Sequence, residues 1–127
     1  MNKILLIDDD KSFTCFFSDA IAHLGATCDV LHDSVQITEH NMQEYAHIII
    51  DLMMPNYDGM QILGHLKAVD YKGYISVVSG QDKSVLKSAQ EVCRMHQLPF
   101  HTALQKPFEL KELEQLVYSS PEGNTQN

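Results

Sequence analysis

The sequence predicts a doubly wound α/β domain, a five-stranded parallel sheet covered by helices on both faces in three layers. Three observations carry this. Five short apolar runs recur along the 127 residues. Stretches with apolar residues at helical spacing separate them. The connections are short, so successive strands run parallel and are joined by right-handed crossovers.

The runs are Ile4–Ile7, Thr27–Leu31, Ile48–Ile50, Tyr74–Val78 and Phe100–Leu104. The first, third and fourth are nearly continuous in Ile, Leu and Val, as expected for strands buried on both faces. The second and fifth are weaker and fit the sheet's edges. Phe13, Phe16, Phe17, Ala20, Ile21 and Leu24 follow the i, i+3, i+4, i+7 rule, and Gly25 stops that helix. Ile62, Leu63, Leu66 and Val69 mark another helical stripe, Val85, Leu86, Ala89, Val92 and Cys93 a third, and Leu110, Leu113, Leu116 and Val117 the last. Residues 34–45 read as a weaker helix resting on Val35, Ile37 and Met42. The domain is expected over residues 1–118. Residues 119–127 have no large apolar side chain and read as a flexible tail or the start of a linker.

Composition narrows the function. A hydrophobic share of 44% with 20% charged residues is that of a globular chain. No apolar run approaches the ~20 residues of a membrane span, and the start of the chain lacks a cleavable leader pattern. The expected address is the cytoplasm, without a membrane partner. The net charge of −8 argues against direct nucleic-acid binding, because phosphates would be repelled. Cys15, Cys28 and Cys93 are an odd count without paired spacing, which argues against disulfides and zinc. The seven histidines form no ligand cluster and read as surface or core residues, and the aromatic residues of the first helix read as core.

In open α/β sheets, function collects at the carboxyl ends of the strands. Strand one ends in Asp8-Asp9-Asp10, strand three in Asp51 and strand four in Ser79-Gly80, and strand five is followed by Lys106-Pro107. Strand two ends in Leu31-His32-Asp33-Ser34, with no evident partner. Asp10 reads as a helix cap. Three carboxylates in one pocket would repel one another and call for a cation.

These motifs resemble the receiver domain of two-component response regulators. They are Ile-Asp-Asp-Asp at 7–10, Asp-Leu-Met-Met-Pro-Asn-Tyr-Asp-Gly at 51–59, Val-Ser-Gly at 78–80 and Lys-Pro-Phe at 106–108. The resemblance runs from about residue 3 to 118. It implies the flavodoxin-like strand order 2-1-3-4-5, which brings the four strand ends together. It also implies that Asp51 is the phosphoacceptor, assisted by Ser79 and Lys106. Asp8, Asp9, Asp51 and the backbone carbonyl of Met53 would hold Mg2+ (or Mn2+), with Asp8 acting mainly through water. Pro107 would fix the loop after strand five, and Gly59 would let the loop after Asp51 turn tightly. The implied partners are a histidine kinase or phosphotransfer protein on one side, as in a phosphorelay. On the other is a downstream protein or a covalently linked output domain.

The chain departs from the family pattern at Ala103, where an aromatic ring is usual three residues before the Lys. His101, two residues earlier, is expected on the same side of the strand. His101, or a shift of the helix before strand five, then becomes the switch candidate. Met53 and Gln81 would tune the lifetime of the phosphoryl group. Apart from its own phosphorylation and dephosphorylation, the domain is expected not to be an enzyme. Haloacid-dehalogenase phosphatases need an Asp where Met53 stands, and a flavin phosphate would be repelled by the acidic triplet. An inert interaction module would not need all five site residues.

Overall fold

The computed structural model describes residues 3–33, 37, 40–52, 59–80, 83–106 and 109–118, without the side chains of 60, 117 and 118. The strands are β1 Lys3–Ile7, β2 Thr27–Leu31, β3 His47–Asp51, β4 Tyr74–Ser79 and β5 Phe100–Gln105. The helices are α1 Lys11–His23, α2 Gly59–Ala68, α3 Lys83–Met95 and α4 Leu110–Tyr118. The sheet is wholly parallel, in the order β2-β1-β3-β4-β5. The two weaker apolar runs, β2 and β5, are its edges, as expected.

Alternation along the buried strands sorts side chains between two layers. Leu5, Ile7, Ile48, Ile50, Ile75 and Val77 pack against Ile62, Leu63 and Leu66 of α2 and Leu86, Ala89 and Cys93 of α3. Ile4, Leu6, Ile49 and Val78 face the other way, onto Phe17 and Ile21 of α1 and Leu113 and Leu116 of α4. Helix α1 stops at the glycine that the sequence predicts. Leu24 closes the helix, and Gly25 takes φ +85°, a conformation that a side chain resists. Among the described residues, no helix is long and apolar enough to cross a membrane.

Two expectations are corrected. Among the described residues of 34–45, Ile37 is in 3-10 conformation and Met42–Glu44 form a 3-10 turn, with no α-helix. The Asn41 side chain accepts from the Gln43 backbone N–H at 3.1 Å, and Tyr45 is extended. Tertiary bonds hold that shape: Tyr45 Oη donates to Asp29 Oδ2 at 2.9 Å, and Gln43 Nε2 to the carbonyls of Val69 and Asp70 at 3.0 and 3.1 Å. Ile37 and Met42 are still buried. Gly59 opens α2 and packs closely on Leu52, while the loop it was expected to help turn lies outside the described residues. A Cβ there would lie 2.9 Å from the Leu52 Cα.

The second correction concerns β5. Its register slips between Ile75 and Ser76, which pair with Phe100 and Thr102. His101 is therefore one residue too many, and a bulge shifts the alternation. Ala103 lies against the α2–α3 layer. His101 faces the other layer, stacked on Tyr74 at 5.1 Å and edge-on to His47 at 5.4 Å. The two do not share a side. Residues 119–127, like 34–36, fall outside the described residues.

Candidate functional site at the carboxyl edge of the sheet

All five strands end on one edge because all are parallel. Ile7 pairs with Ile50, Asp51 with Val78, and Ser79 with Gln105. The residues just past those pairs therefore meet. Backbone hydrogen bonds continue the ladder beyond the strands. Asp8 N–H donates to the Leu31 carbonyl at 3.0 Å, Leu52 N–H to Val78 at 3.0 Å, and Lys106 N–H to Ser79 at 2.8 Å. These bonds set where each functional side chain leaves the backbone.

Asp8 and Ser79 are fully buried, Asp51 is nearly so, and Asp9 is exposed. Carboxylate oxygens of Asp8, Asp9 and Asp51 lie within 4.8 Å of one another. It is the one set of three or more potential metal ligands among the described residues. Lys106 Nζ reaches Asp8 Oδ2 at 2.7 Å and stands 3.9 Å from Asp51 Oδ2. The Asp10 backbone N–H donates to Asp8 Oδ1 at 2.9 Å. The Asp10 side chain in turn accepts from the Phe13 N–H at 3.1 Å, the cap role expected of it.

The electrostatics follow from this placement. Three carboxylates and one ammonium leave a surplus of two negative charges at a partly dry edge. Such a surplus is repulsive until a divalent cation joins. The donors are hard oxygens, and Asp9 is open to solvent, which suits an ion such as magnesium that keeps part of its water shell. The residues present thus form an acidic pocket that fits a metal ion.

Of the residues singled out from sequence, Asp8, Asp9, Asp51, Ser79 and Lys106 come together. Met53, Pro55, Gln81 and Pro107 lie outside the described residues. His101 and Ala103 lie on opposite faces of β5. Two neighbours of the site went unread. The His32 Nδ1 donates to the Asp8 backbone carbonyl at 3.2 Å, giving the end of β2 a partner. The Phe13 ring, besides packing in the core, lies with its centroid 4.2 Å from Lys106 Nζ. The His-Asp offset in sequence carries no signal for the first. An aromatic residue in the first turn of α1 was a weak signal for the second.

A parallel α/β sheet with an acidic pocket and a lysine at its carboxyl edge is the arrangement expected of a receiver domain, and comparison with known proteins agrees. The family model described as the response regulator receiver domain matches residues 4–118, and the chain belongs to that family. It is 27% identical over 112 residues to the response regulator MprA of Mycobacterium ulcerans, covering 87% of this chain and 46% of that protein. It is 33% identical over 67 residues to the transcriptional regulatory protein CpxR of Escherichia coli K12, covering 53% of this chain and 29% of that one. The chain spans less than half the length of these curated relatives. Among solved structures it is similar to the receiver domain of Francisella response regulator 1452, with 27% identity, TM-score 0.74 and coverage of 92% and 93% of the two chains. A response regulator from Colwellia psychrerythraea shares the fold at TM-score 0.84, with 24% identity and 98% coverage of each chain.

Proposed function

We propose that this domain is a signalling switch thrown by phosphorylation of Asp51. One observation carries the reading. Carboxylates from β1 and β3 meet the ammonium that follows β5, with Asp51 3.9 Å from Lys106 Nζ. The phosphoryl donor is a histidine kinase or phosphotransfer protein. An Asp51 carboxylate oxygen attacks phosphorus, the phosphorus–nitrogen bond of the donor phosphohistidine breaks, and the imidazole leaves with the electron pair. Water later attacks phosphorus and Asp51 departs as carboxylate. These steps on its own side chain are all the turnover the domain has.

Asp8, Asp9 and Asp51 would hold the metal, with the Met53 carbonyl as a further ligand. A Mg2+ (or Mn2+) ion there would screen the charge of the incoming phosphoryl group and align its oxygens. The acyl phosphate brings a charge of about −1.5 to −2. Lys106 supplies an ammonium to it and Ser79 a hydroxyl. Both are held at the edge by the Lys106–Ser79 backbone bond.

Phosphorylation acts by shifting a two-state population, so only the difference in stability between the states counts. His101 loses its claim as relay, because it points away from the face of Ala103. Ala103 packs with the layer that contains α3, so a shift of α3 carries the signal. The output is a downstream protein or a covalently linked output domain. Nucleic-acid contact, where the pathway has it, belongs to that output rather than to this acidic chain. The cytoplasm is the compartment for such an exchange.

Incubation with magnesium and acetyl phosphate tests this by intact mass. One added phosphoryl group on the wild type and none on Asp51→Asn is the expected result. Steady turnover of a phosphomonoester, or no label with no magnesium binding, refutes it.

A further inference from the structure

Phe13 is the third residue of α1, and helical side chains lean back toward the helix N-terminus. That end of α1 sits at the carboxyl edge of the sheet, where Lys106 emerges. The ring centroid is 4.2 Å from Lys106 Nζ, well inside the ~6 Å at which an aromatic face attracts a cation. The Lys106 side chain is only 18% exposed, so water screens the contact weakly. The same ammonium meets Asp8 at 2.7 Å, while Asp51 at 3.9 Å lies just beyond hydrogen-bond reach.

We propose that Phe13 is a positioning residue for Lys106, holding the ammonium between its ring face and Asp8 so that it is ready for a phosphoryl group on Asp51. This deepens, and rests on, the phosphoacceptor reading above. Lysine is a point charge on a four-carbon stem with much rotamer freedom. The hydrogen bond to Asp8 tethers its tip, with Asp51 as a longer ion pair. The ring adds a second wall and narrows the arc over which the tip can swing. A purely structural role would ask less of residue 13. Its packing against Phe17, at 5.7 Å between ring centroids, needs apolar volume but no π face.

Phe13→Leu keeps apolar volume without the face, and Phe13→Tyr and Phe13→Trp keep a face. The first readout is the Lys106 ε-methylene proton resonance in labelled protein, assigned with Lys106→Arg. It should be shielded by the ring in wild type, Tyr and Trp variants, and return to the ordinary position in the Leu variant. The second readout is the initial rate of Asp51 labelling by acetyl phosphate with magnesium. It should fall roughly three- to thirty-fold in Phe13→Leu, the range a cation–π contact spans, and be restored by Tyr or Trp. An amide spectrum of each variant reports folding, and the aromatic variants keep the test decisive if the Leu variant unfolds. A Leu variant that labels at the wild-type rate, or a Lys106 resonance indifferent to residue 13, overturns the proposal while leaving the phosphoacceptor reading intact. A wild type that takes no label at all, with its Lys106 resonance still shielded, overturns the phosphoacceptor reading itself, and with it the role given to Phe13 in that reaction.

Discussion

His47 makes the fold acid-sensitive in a way that can be measured by replacing one residue. It opens β3, is fully buried, and bonds Ser76 Oγ through Nε2 at 2.7 Å. Its Nδ1 is the one buried side-chain polar atom among the described residues that has no hydrogen-bond partner. Around it stand Tyr74, at 6.2 Å between centroids, and His101, at 5.4 Å. Glu112 and Gln115 of α4 line the groove beside His101. Burial, then the charge of His101, push the His47 pKa down from 6.5 to about 3. Burial also lowers His101. The sign follows from the unfolded chain, which takes up the His47 proton as pH falls below 6.5 while the folded one does not. Stability is therefore full above pH 6.5 and falls by about 1.4 kcal/mol per pH unit until the folded group titrates near pH 3. Between pH 6.5 and 4.5 the loss from His47 is about 3 kcal/mol, a large share of the 5–15 kcal/mol that typically holds a domain. His47→Gln keeps a hydrogen-bonding group for Ser76 and cannot titrate. Urea unfolding of both proteins at pH 7 and pH 4.5 isolates the effect, since the carboxylates titrate alike in each. The wild type should lose about 3 kcal/mol more than the variant, at unchanged m-value. Parallel losses would refute the assignment of the acid sensitivity to His47.

Other outcomes follow from contacts already described. Asp51→Asn removes one of three mutually repelling carboxylates and should raise metal-free stability by about 1 kcal/mol, net of its attraction to Lys106; the same variant should lose most of the rise in Tm that magnesium gives the wild type. Gly59→Ala forces a Cβ to within 2.9 Å of the Leu52 Cα, and thermal unfolding should show a cost of about 1–3 kcal/mol, because backbone cannot yield as a side-chain tip can. Gln97, exposed and just past α3, holds φ +58°, so Gln97→Gly should gain about 1 kcal/mol in urea unfolding by removing left-handed strain.

How far the fold could be read depended on how locally each feature was determined. Ile4–Ile7 and Ile48–Ile50 announce strands because burial on both faces demands unbroken apolar runs, and these became β1 and β3. Asp8, Asp51 and Lys106 were legible because a parallel sheet puts every strand end on one edge, whatever the separation in sequence. The face of His101 was not. Alternation predicts it from Ala103 only in an unbroken ladder, and the bulge is decided by how Ser76 pairs with Thr102 across the strands. Over 40–45, the described end of the helix expected at 34–45, a 3-10 turn replaced it for a similar reason. Gln43 and Tyr45 find their partners on distant segments, Val69, Asp70 and Asp29, and such bonds outweigh a weak local preference. His47 looked like any scattered histidine, since its burial depends on Tyr74 and His101 closing over it.

The two ends of the sheet solve opposite problems with polar groups. At the amino end, His47 is neutral, enclosed and bonded to a single hydroxyl, so its cost is lowest when nothing changes. At the carboxyl end, Asp8 is just as buried, and its compensation comes from the Lys106 ammonium and the Asp10 N–H. Lys106 cannot stay 2.7 Å from Asp8 and also close fully on a phosphoryl group at Asp51, 3.9 Å away, without shifting its balance between them. A divalent cation held by Asp8, Asp9 and Asp51 would relieve that conflict, because it would offset the charge of Asp8 while Lys106 served the new charge. The site is therefore poised rather than satisfied at rest. On the function proposed above, this charge set, carried on rigid strands, would let one covalent event on Asp51 redistribute the contacts of Lys106 across this edge.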